Sequence, residues 1–271
     1  MNKNLRIAIV GCGNMGQAFA KAFLQYNLVA RTDMLLVGRD DAHCQRLHAS
    51  QLGLPTGLVS AAVGDYDVVL VAVKPQDFGR AANGLRRVLQ PQQTVVSIMA
   101  GIPIARLQRE LDHQQVLRAM PNTPALLGTG ITGFSAAPVA ERSQLHQVEN
   151  LLNATGRSIF LEDESLLDAV TAVSGSGPAY FYYIVQAMMR AGQELGFSES
   201  VAGLLVKQTM LGAFHLLNNS DQSLDQLIAN VASKGGTTEA ALRAFRAGNL
   251  ADTLVDGIKA AQQRATELAK E

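Results

Sequence analysis

An excess of charge of either sign is the plainest thing this sequence lacks: 23 lysines and arginines stand against 23 aspartates and glutamates over 271 residues. Without a basic stripe there is no electrostatic footprint for nucleic acid, and without a polybasic segment none for an anionic membrane surface. Cysteine is almost absent. Cys12 and Cys44 lie far apart and form no ligand pattern, so no metal is expected, and free thiols in a reducing cytoplasm are the simplest account. Signal-peptide architecture is missing, because Asn2-Lys3-Asn4 runs straight into a strand. The longest apolar region, Tyr180 to Met189, is too short and too interrupted to span a bilayer. No internal repeat, low-complexity tract or heptad run is visible. With 48% apolar residues, the chain has ample material for a packed core in one large or two ordinary domains.

What is present is organised around Leu5-Arg6-Ile7-Ala8-Ile9-Val10-Gly11-Cys12-Gly13-Asn14-Met15-Gly16. A branched apolar run ends in three glycines, and helical spacing follows at once through Ala18, Phe19, Ala22 and Phe23. This predicts strand, tight turn and helix. Gly11 permits the turn, Gly13 lets backbone approach a ligand, and Gly16 lets the helix pack close to the strand. The N–H groups at the helix start then suit a pyrophosphate. An ordinary β–α turn with packing glycines is the alternative, but the glycines stand where a dinucleotide site needs them.

The strands continue with Met34–Gly38, Asp67–Val73, Thr94–Met99 and Val116–Met120, runs apolar enough for buried parallel strands. Helical patterns between them predict a doubly wound sheet, with ligands beyond the carboxyl ends of its strands. Ala72-Val73-Lys74-Pro75, Ala100-Gly101 and the loop Met120–Pro124 are therefore candidate walls of one cleft. The second strand ends at Gly38-Arg39 and not at an acid. Arg39 can pair with a 2′-phosphate that an aspartate would repel, which favours NADP(H) and leaves NAD(H) as the alternative. Asp41 is expected to cap the next helix.

Short strands are expected at Ile131–Phe134 and Ser158–Leu161, flanking a helix over Glu141–Ala154. Beyond Glu162 only helical patterns remain: Leu166–Ser174, Ala179–Leu195, Glu199–Leu217, Leu224–Val231, Thr238–Ala247 and Ala251–Ala269. The expected domains are residues 1–163, a dinucleotide-binding Rossmann domain, and 164–271, an all-helical domain. So much apolar helix in a small unit suggests burial against another subunit. Two loops stand out there: Ser174-Gly175-Ser176-Gly177-Pro178, and Ala232-Ser233-Lys234-Gly235-Gly236-Thr237-Thr238-Glu239. Glycines and threonines ahead of a helix make a carboxylate-sized anion site. A simple cap by Thr237 or Thr238 is the competing account.

With these motifs in order, the chain resembles the pyrroline-5-carboxylate reductase family over essentially its whole length. The resemblance rests on Gly11–Gly16, Ala72–Pro75, Arg118-Ala119-Met120-Pro121-Asn122-Thr123-Pro124-Ala125, Ala172–Tyr180 and Val231–Thr238. The family usually has proline where Lys234 stands, and often a polar residue where Ser60 or Val59 stands. The resemblance implies that the glycine loop, including Cys12, Asn14 and Met15, holds the cofactor phosphates and Arg39 the adenosine phosphate. It implies that Ala72, Val73, Lys74 and Pro75 line the cofactor, with Ala100 and Gly101 beside it and Asn122 near the nicotinamide. By the same carry-over Asn230, Gly236, Thr237 and Thr238 bind the imino acid; its carboxylate is expected on Ser233 and on the N–H groups of Gly236 and Thr237. Members assemble as homodimers through the helical domain, and also as rings of dimers, with sites near the subunit boundary.

The implied reaction is NADPH-dependent reduction of 1-pyrroline-5-carboxylate to L-proline, with Thr238 as the expected catalytic hydroxyl at the imine nitrogen. The histidines His43, His48, His113, His146 and His215 fall outside every motif and read as surface or packing residues. Lys207 invites comparison with the β-hydroxyacid dehydrogenases, but Leu211 stands where those place an asparagine. The alternatives are another cyclic-imine reductase or a β-hydroxyacid dehydrogenase on this scaffold, or a non-catalytic NADPH-binding regulator.

Overall fold

The computed structural model describes residues 5–57 and 59–269. The reading of Asn2-Lys3-Asn4 lies outside them. By contacts, the chain divides into one unit of residues 1–176 with 261–271, and a second of 177–260.

The first unit is Rossmann-like. Its strands are β1 (Ile7–Val10), β2 (Met34–Val37), β3 (Leu54–Thr56), β4 (Val68–Val71), β5 (Thr94–Ser97), β6 (Val116–Met120), β7 (Gly130–Ala136) and β8 (Gly156–Phe160). They form one sheet in the order β3-β2-β1-β4-β5-β6-β7-β8. All pairs are parallel except β6–β7. The link from Met120 to Gly130 is too short for the crossover a parallel pair needs. Its helices are α1 (Asn14–Gln25), α2 (Asp41–Ser50), α3 (Phe78–Leu85), α4 (Ile104–Leu111), α5 (Arg142–Asn153) and α6 (Leu166–Val170). The period of two along β1 sends Ile7 and Ile9 to a core with Phe19, Phe23 and Leu151. Ala8 and Val10 go to the opposite face, with Phe78, Leu85 and Leu107. Burial on both faces is why these strands read as unbroken apolar runs.

Three expectations change. β3 was not foreseen. Pro55 argues against a central strand, and β3 is the sheet's edge, where proline is tolerated. Asp40, not Asp41, caps α2, because its carboxylate accepts the His43 N–H at 2.7 Å. Ser174–Pro178 is not an open loop. Residues Thr171–Gly175 form a π-helical turn after α6, closed by Ser176 N–H to Thr171 O at 2.8 Å, and the next helix starts at Gly177.

Arg118, on β6 and only 4% exposed, donates to Glu164 at 3.1 Å and to Asp168 at 2.9 Å. Asp168 also accepts from Thr266, and Glu164 from the Ile104 N–H that opens α4. These bonds tie α6 and the segment around Thr266 to the sheet. That is why the compact unit runs on to Ser176 and takes back the chain from residue 261.

The second unit is all-helical: α7 (Gly177–Glu194), α8 (Glu199–Asn218), α9 (Leu224–Val231), α10 (Thr237–Ala247) and the first part of α11 (Leu250–Leu268). Ser198 caps α8 and Ser223 caps α9, the latter in a capping box with Gln226. Small residues bring α7 and α8 together, with Gly192 against Ala202. Few apolar side chains are buried here, while Phe181, Tyr182, Tyr183, Leu204 and Phe214 are exposed. Large apolar side chains left exposed in this number are what an interaction surface would use. Among the described residues, the helix long and apolar enough to cross a membrane by length and composition is α8, not Tyr180–Met189. It has mean hydropathy 1.3 and reaches spanning length, with 17% of that stretch buried.

Removing the Arg118 guanidinium strands two carboxylates in a mostly dry site. Arg118→Leu is therefore expected to lower unfolding stability by about 3–5 kcal/mol in a urea titration, and an unchanged midpoint would contradict the network's importance.

Candidate active site

Strand order reverses at β1, which lies between β2 and β4. A cavity of about 440 Å³ opens at the carboxyl ends of these three strands. Its walls are Val10, Gly11, Cys12 and Gly13 from the first strand exit, and Val37, Gly38 and Arg39 from the second. Ala72, Val73 and Lys74 come from the β4 exit, and Asp77, Arg80, Ala81 and Gly84 from α3 and the turn before it. This is the position at which open α/β sheets bind ligands.

The glycine turn fits a dinucleotide. Gly11 has φ +97°, and a Cβ there would lie 2.5 Å from the Val73 nitrogen. At Gly16 a Cβ would lie 2.4 Å from the Gly11 oxygen. At Gly13 it would meet nothing within 4 Å. Two glycines therefore allow backbone to pack on backbone, while the third leaves an open approach. Gly13 is also the N-cap of α1, without a side-chain cap or any acid in the first turn. The helix's first N–H groups are thus left for an anion. Asn14 is exposed beside them, and Met15 packs against the core.

Arg39 borders the same cavity. Its Nε donates to Asp40 at 3.1 Å, and the side chain is 70% exposed. Asp40 is held below the ordinary carboxylate range, first by the His43 N–H it accepts and then by Arg39. Arg80, paired with Asp77 at 3.5 Å, brings a second guanidinium to the rim. His43, which belongs to none of the sequence motifs, also lines the cavity. Its Nε2 lies 3.0 Å from the Cys12 oxygen, a partner 31 residues away that no local pattern announces. Val59 lines the cavity, whereas Ser60 caps the 3₁₀ turn Ala61–Asp65. Burial pushes the Cys12 thiol up to about 12, with the neighbouring Cys44 adding to the shift.

Not every expected cofactor residue lines this cavity. Pro75 starts the 3₁₀ turn Pro75–Asp77 just behind Lys74. Ala100 and Gly101 follow β5 and Asn122 follows β6, on the same edge of the sheet but outside the lining. Gly101, at φ +70°, faces Leu268 and Ala269. The Asn122 side chain is committed at both ends: its oxygen accepts the Ile131 N–H at 3.0 Å, and its Nδ2 donates to the Ser174 oxygen at 3.2 Å. It ties the β6 exit to β7 and to the π turn.

In the second unit, Ser233, Gly236, Thr237 and Thr238 cluster at the start of α10. Gly235 takes φ +74° and donates its N–H to Glu239 at 2.6 Å. The Gly236 N–H is engaged by the Ser233 oxygen at 2.9 Å. Gly236 is the N-cap, so the donors left at this helix start are the Thr237, Thr238 and Glu239 N–H groups with the nearby hydroxyls. Asn230, one turn before the loop, bonds to Gln222 at 2.8 Å. Lys207 is exposed on α8. Among the described residues, no three His, Cys, Asp or Glu side chains gather as a metal site.

Residues 164–268 match the family model described as pyrroline-5-carboxylate reductase dimerisation. Residues 6–101 match one described as NADP oxidoreductase, coenzyme F420-dependent. The pyrroline-5-carboxylate reductase of Pseudomonas aeruginosa is 39% identical over 98% of this chain and 97% of its own. Among solved structures, a pyrroline-5-carboxylate reductase from Coxiella burnetii superposes with TM-score 0.89 at 29% identity, over 98% of this chain and 99% of that one. The pyrroline carboxylate reductase of Plasmodium falciparum, solved with NADP bound, gives 0.87 at 25% identity over 98% of each chain. A Rossmann-like sheet with this turn and cavity, followed by an all-helical dimerisation domain, makes the chain an NAD(P)-dependent oxidoreductase. With identity sustained from end to end, it belongs to the pyrroline-5-carboxylate reductase family.

Two outcomes follow from the turn's geometry. Gly13→Ala has room and an ordinary φ of −74°, so it leaves the melting temperature within about 2 °C while weakening NADPH binding at least about tenfold by calorimetry. Unaltered affinity would place the pyrophosphate elsewhere. Iodoacetamide at mildly alkaline pH is expected to label the partly exposed Cys44 and spare Cys12, as peptide mass mapping would read.

Proposed function

We propose that this protein reduces the cyclic imine 1-pyrroline-5-carboxylate to L-proline, with NADPH as the reductant. The observation that carries this reading is the 39% identity to the Pseudomonas reductase over 98% of the chain. Gly11, Cys12, Gly13, Asn14, Met15 and Gly16 shape the pyrophosphate site, and the α1 N–H groups donate to it. Arg39 takes the 2′-phosphate: with Nε on Asp40, its two Nη groups remain for a phosphate oxygen pair. That supports NADPH over NADH, which remains the alternative electron donor. Ala72, Val73, Lys74 and Pro75 flank the cofactor, and Ala100, Gly101 and Asn122 complete its nicotinamide end.

When bound, the dihydronicotinamide supplies the hydride that the imine carbon accepts. The protein's share is binding, orientation and polarisation. The Thr237 and Thr238 N–H groups and the Ser233 hydroxyl hold the substrate carboxylate at the start of α10, with Gly236 keeping the backbone close and Asn230 behind it. The Thr238 hydroxyl bonds to the ring nitrogen, which must gain a proton as its carbon gains hydride. The substrate iminium, or water relayed through Thr238, provides that proton. The exposed Lys234 points its charge to solvent.

The exposed apolar faces of the helical unit support a homodimer formed through it, with dimers closing into a ring. That burial also accounts for the apolar α8 without a membrane. Unpaired Cys12 and Cys44 support a cytoplasmic setting.

Steady-state assay with pyrroline-5-carboxylate tests the reading. Turnover is expected with a higher kcat/KM for NADPH than for NADH, and cofactor binding without turnover of any imine would favour a non-catalytic regulator. Loss of the Thr238 hydroxyl should cost about 1.5–3 kcal/mol of transition-state stabilisation. Thr238→Ala then lowers kcat/KM by about ten- to a few hundred-fold and leaves NADPH affinity intact.

A further inference from the structure

We infer that His43 is a positioning residue that sets preference for the 2′-phosphate by holding the Arg39 peptide against the glycine turn. The inference rests on the reading that the cavity takes NADPH. Both ring nitrogens are engaged. The Arg39 N–H lies 3.3 Å from Nδ1, and the Cys12 carbonyl oxygen lies 3.0 Å from Nε2. A peptide N–H only donates and a carbonyl only accepts, so the bonds assign the neutral ring with its proton on Nε2. The ring is anchored from below, because the His43 N–H donates to the capping carboxylate of Asp40, which in turn accepts from Arg39 Nε.

The Cys12 carbonyl receives a second donor, Gln17 Nε2, at 2.9 Å. The turn is thus pinned from α1 by Gln17 and from α2 by His43. Pyrophosphate and 2′-phosphate sit at opposite ends of the adenosine ribose, so selectivity needs the turn and Arg39 at a fixed separation. His43 is the side chain that bridges them, and it lines the cavity between them. Arg39 itself is largely exposed and held by one ion pair. Freed of the ring, its peptide would lose its tie to the glycine turn and be fixed there only on binding, and that entropy would be lost from the 2′-phosphate contact.

The test uses His43→Ala and His43→Gln, the latter keeping one acceptor and one donor. Calorimetry compares 2′,5′-ADP with 5′-AMP, and kinetics gives the ratio of kcat/KM for NADPH over NADH. His43→Ala is expected to weaken 2′,5′-ADP about tenfold and 5′-AMP less than about twofold, with the kinetic ratio falling in parallel. His43→Gln should restore most of both. In an Arg39→Ala background the loss of His43 should not change the ratio further, since the two act through one contact. Equal weakening of the two nucleotides, as a purely structural staple would give, overturns the inference. So does an additive effect with Arg39→Ala. If the unaltered protein binds 2′,5′-ADP no better than 5′-AMP, it is the NADPH reading that fails, and this one with it.

Discussion

Backbone meeting backbone behind β1 is the contact on which the rest of the structure depends. The Gly11 carbonyl lies where a side chain on Gly16 would have to be, and the β4 exit lies where one on Gly11 would have to be. With neither side chain present, α1 packs down on β1 and the β1 and β4 exits close up. The helix's first N–H groups then face a cavity and not a side chain. A single added methyl at either place would push these elements apart. The switch in strand order makes the crevice, and the missing Cβ atoms make it fit a phosphate.

A second set of constraints is polar and works at a distance from the cavity. Arg118, Glu164, Asp168 and Thr266 fasten α6 and the end of α11 to the sheet. Asn122 spends its whole amide on Ile131 and Ser174. The side chains of Arg118 and Asn122 therefore serve structure: they hold β6 and its exit in place. The helical unit is the opposite case. It buries little of its own apolar surface and leaves Phe181, Tyr182, Tyr183, Leu204 and Phe214 exposed on α7 and α8.

The sheet was legible in the sequence because burial on both faces writes strands as unbroken apolar runs ending at glycine or proline. The helices after Glu162 were legible from their period. Features set by tertiary contact were not. β3 is a three-residue edge strand around Pro55 with no alternation to detect. The helical pattern Leu166–Ser174 does not show that its end winds into the π turn Thr171–Gly175, which the Ser176 N–H closes on the Thr171 oxygen. His43 carries no motif, since its partners are a carbonyl in one loop and a peptide N–H in another. Arg39 could be found because it stands at a fixed distance beyond the glycines. Arg80 could not, because it reaches the cavity from α3.

The most direct measurement follows the hydrogen. Pyrroline-5-carboxylate would be incubated with this protein and NADPH carrying deuterium at the transferred position of the nicotinamide C4, and the product examined by mass spectrometry and NMR. The account predicts L-proline with the label on C5, the former imine carbon. Oxidation of NADPH without labelled proline, or proline free of deuterium, would contradict it.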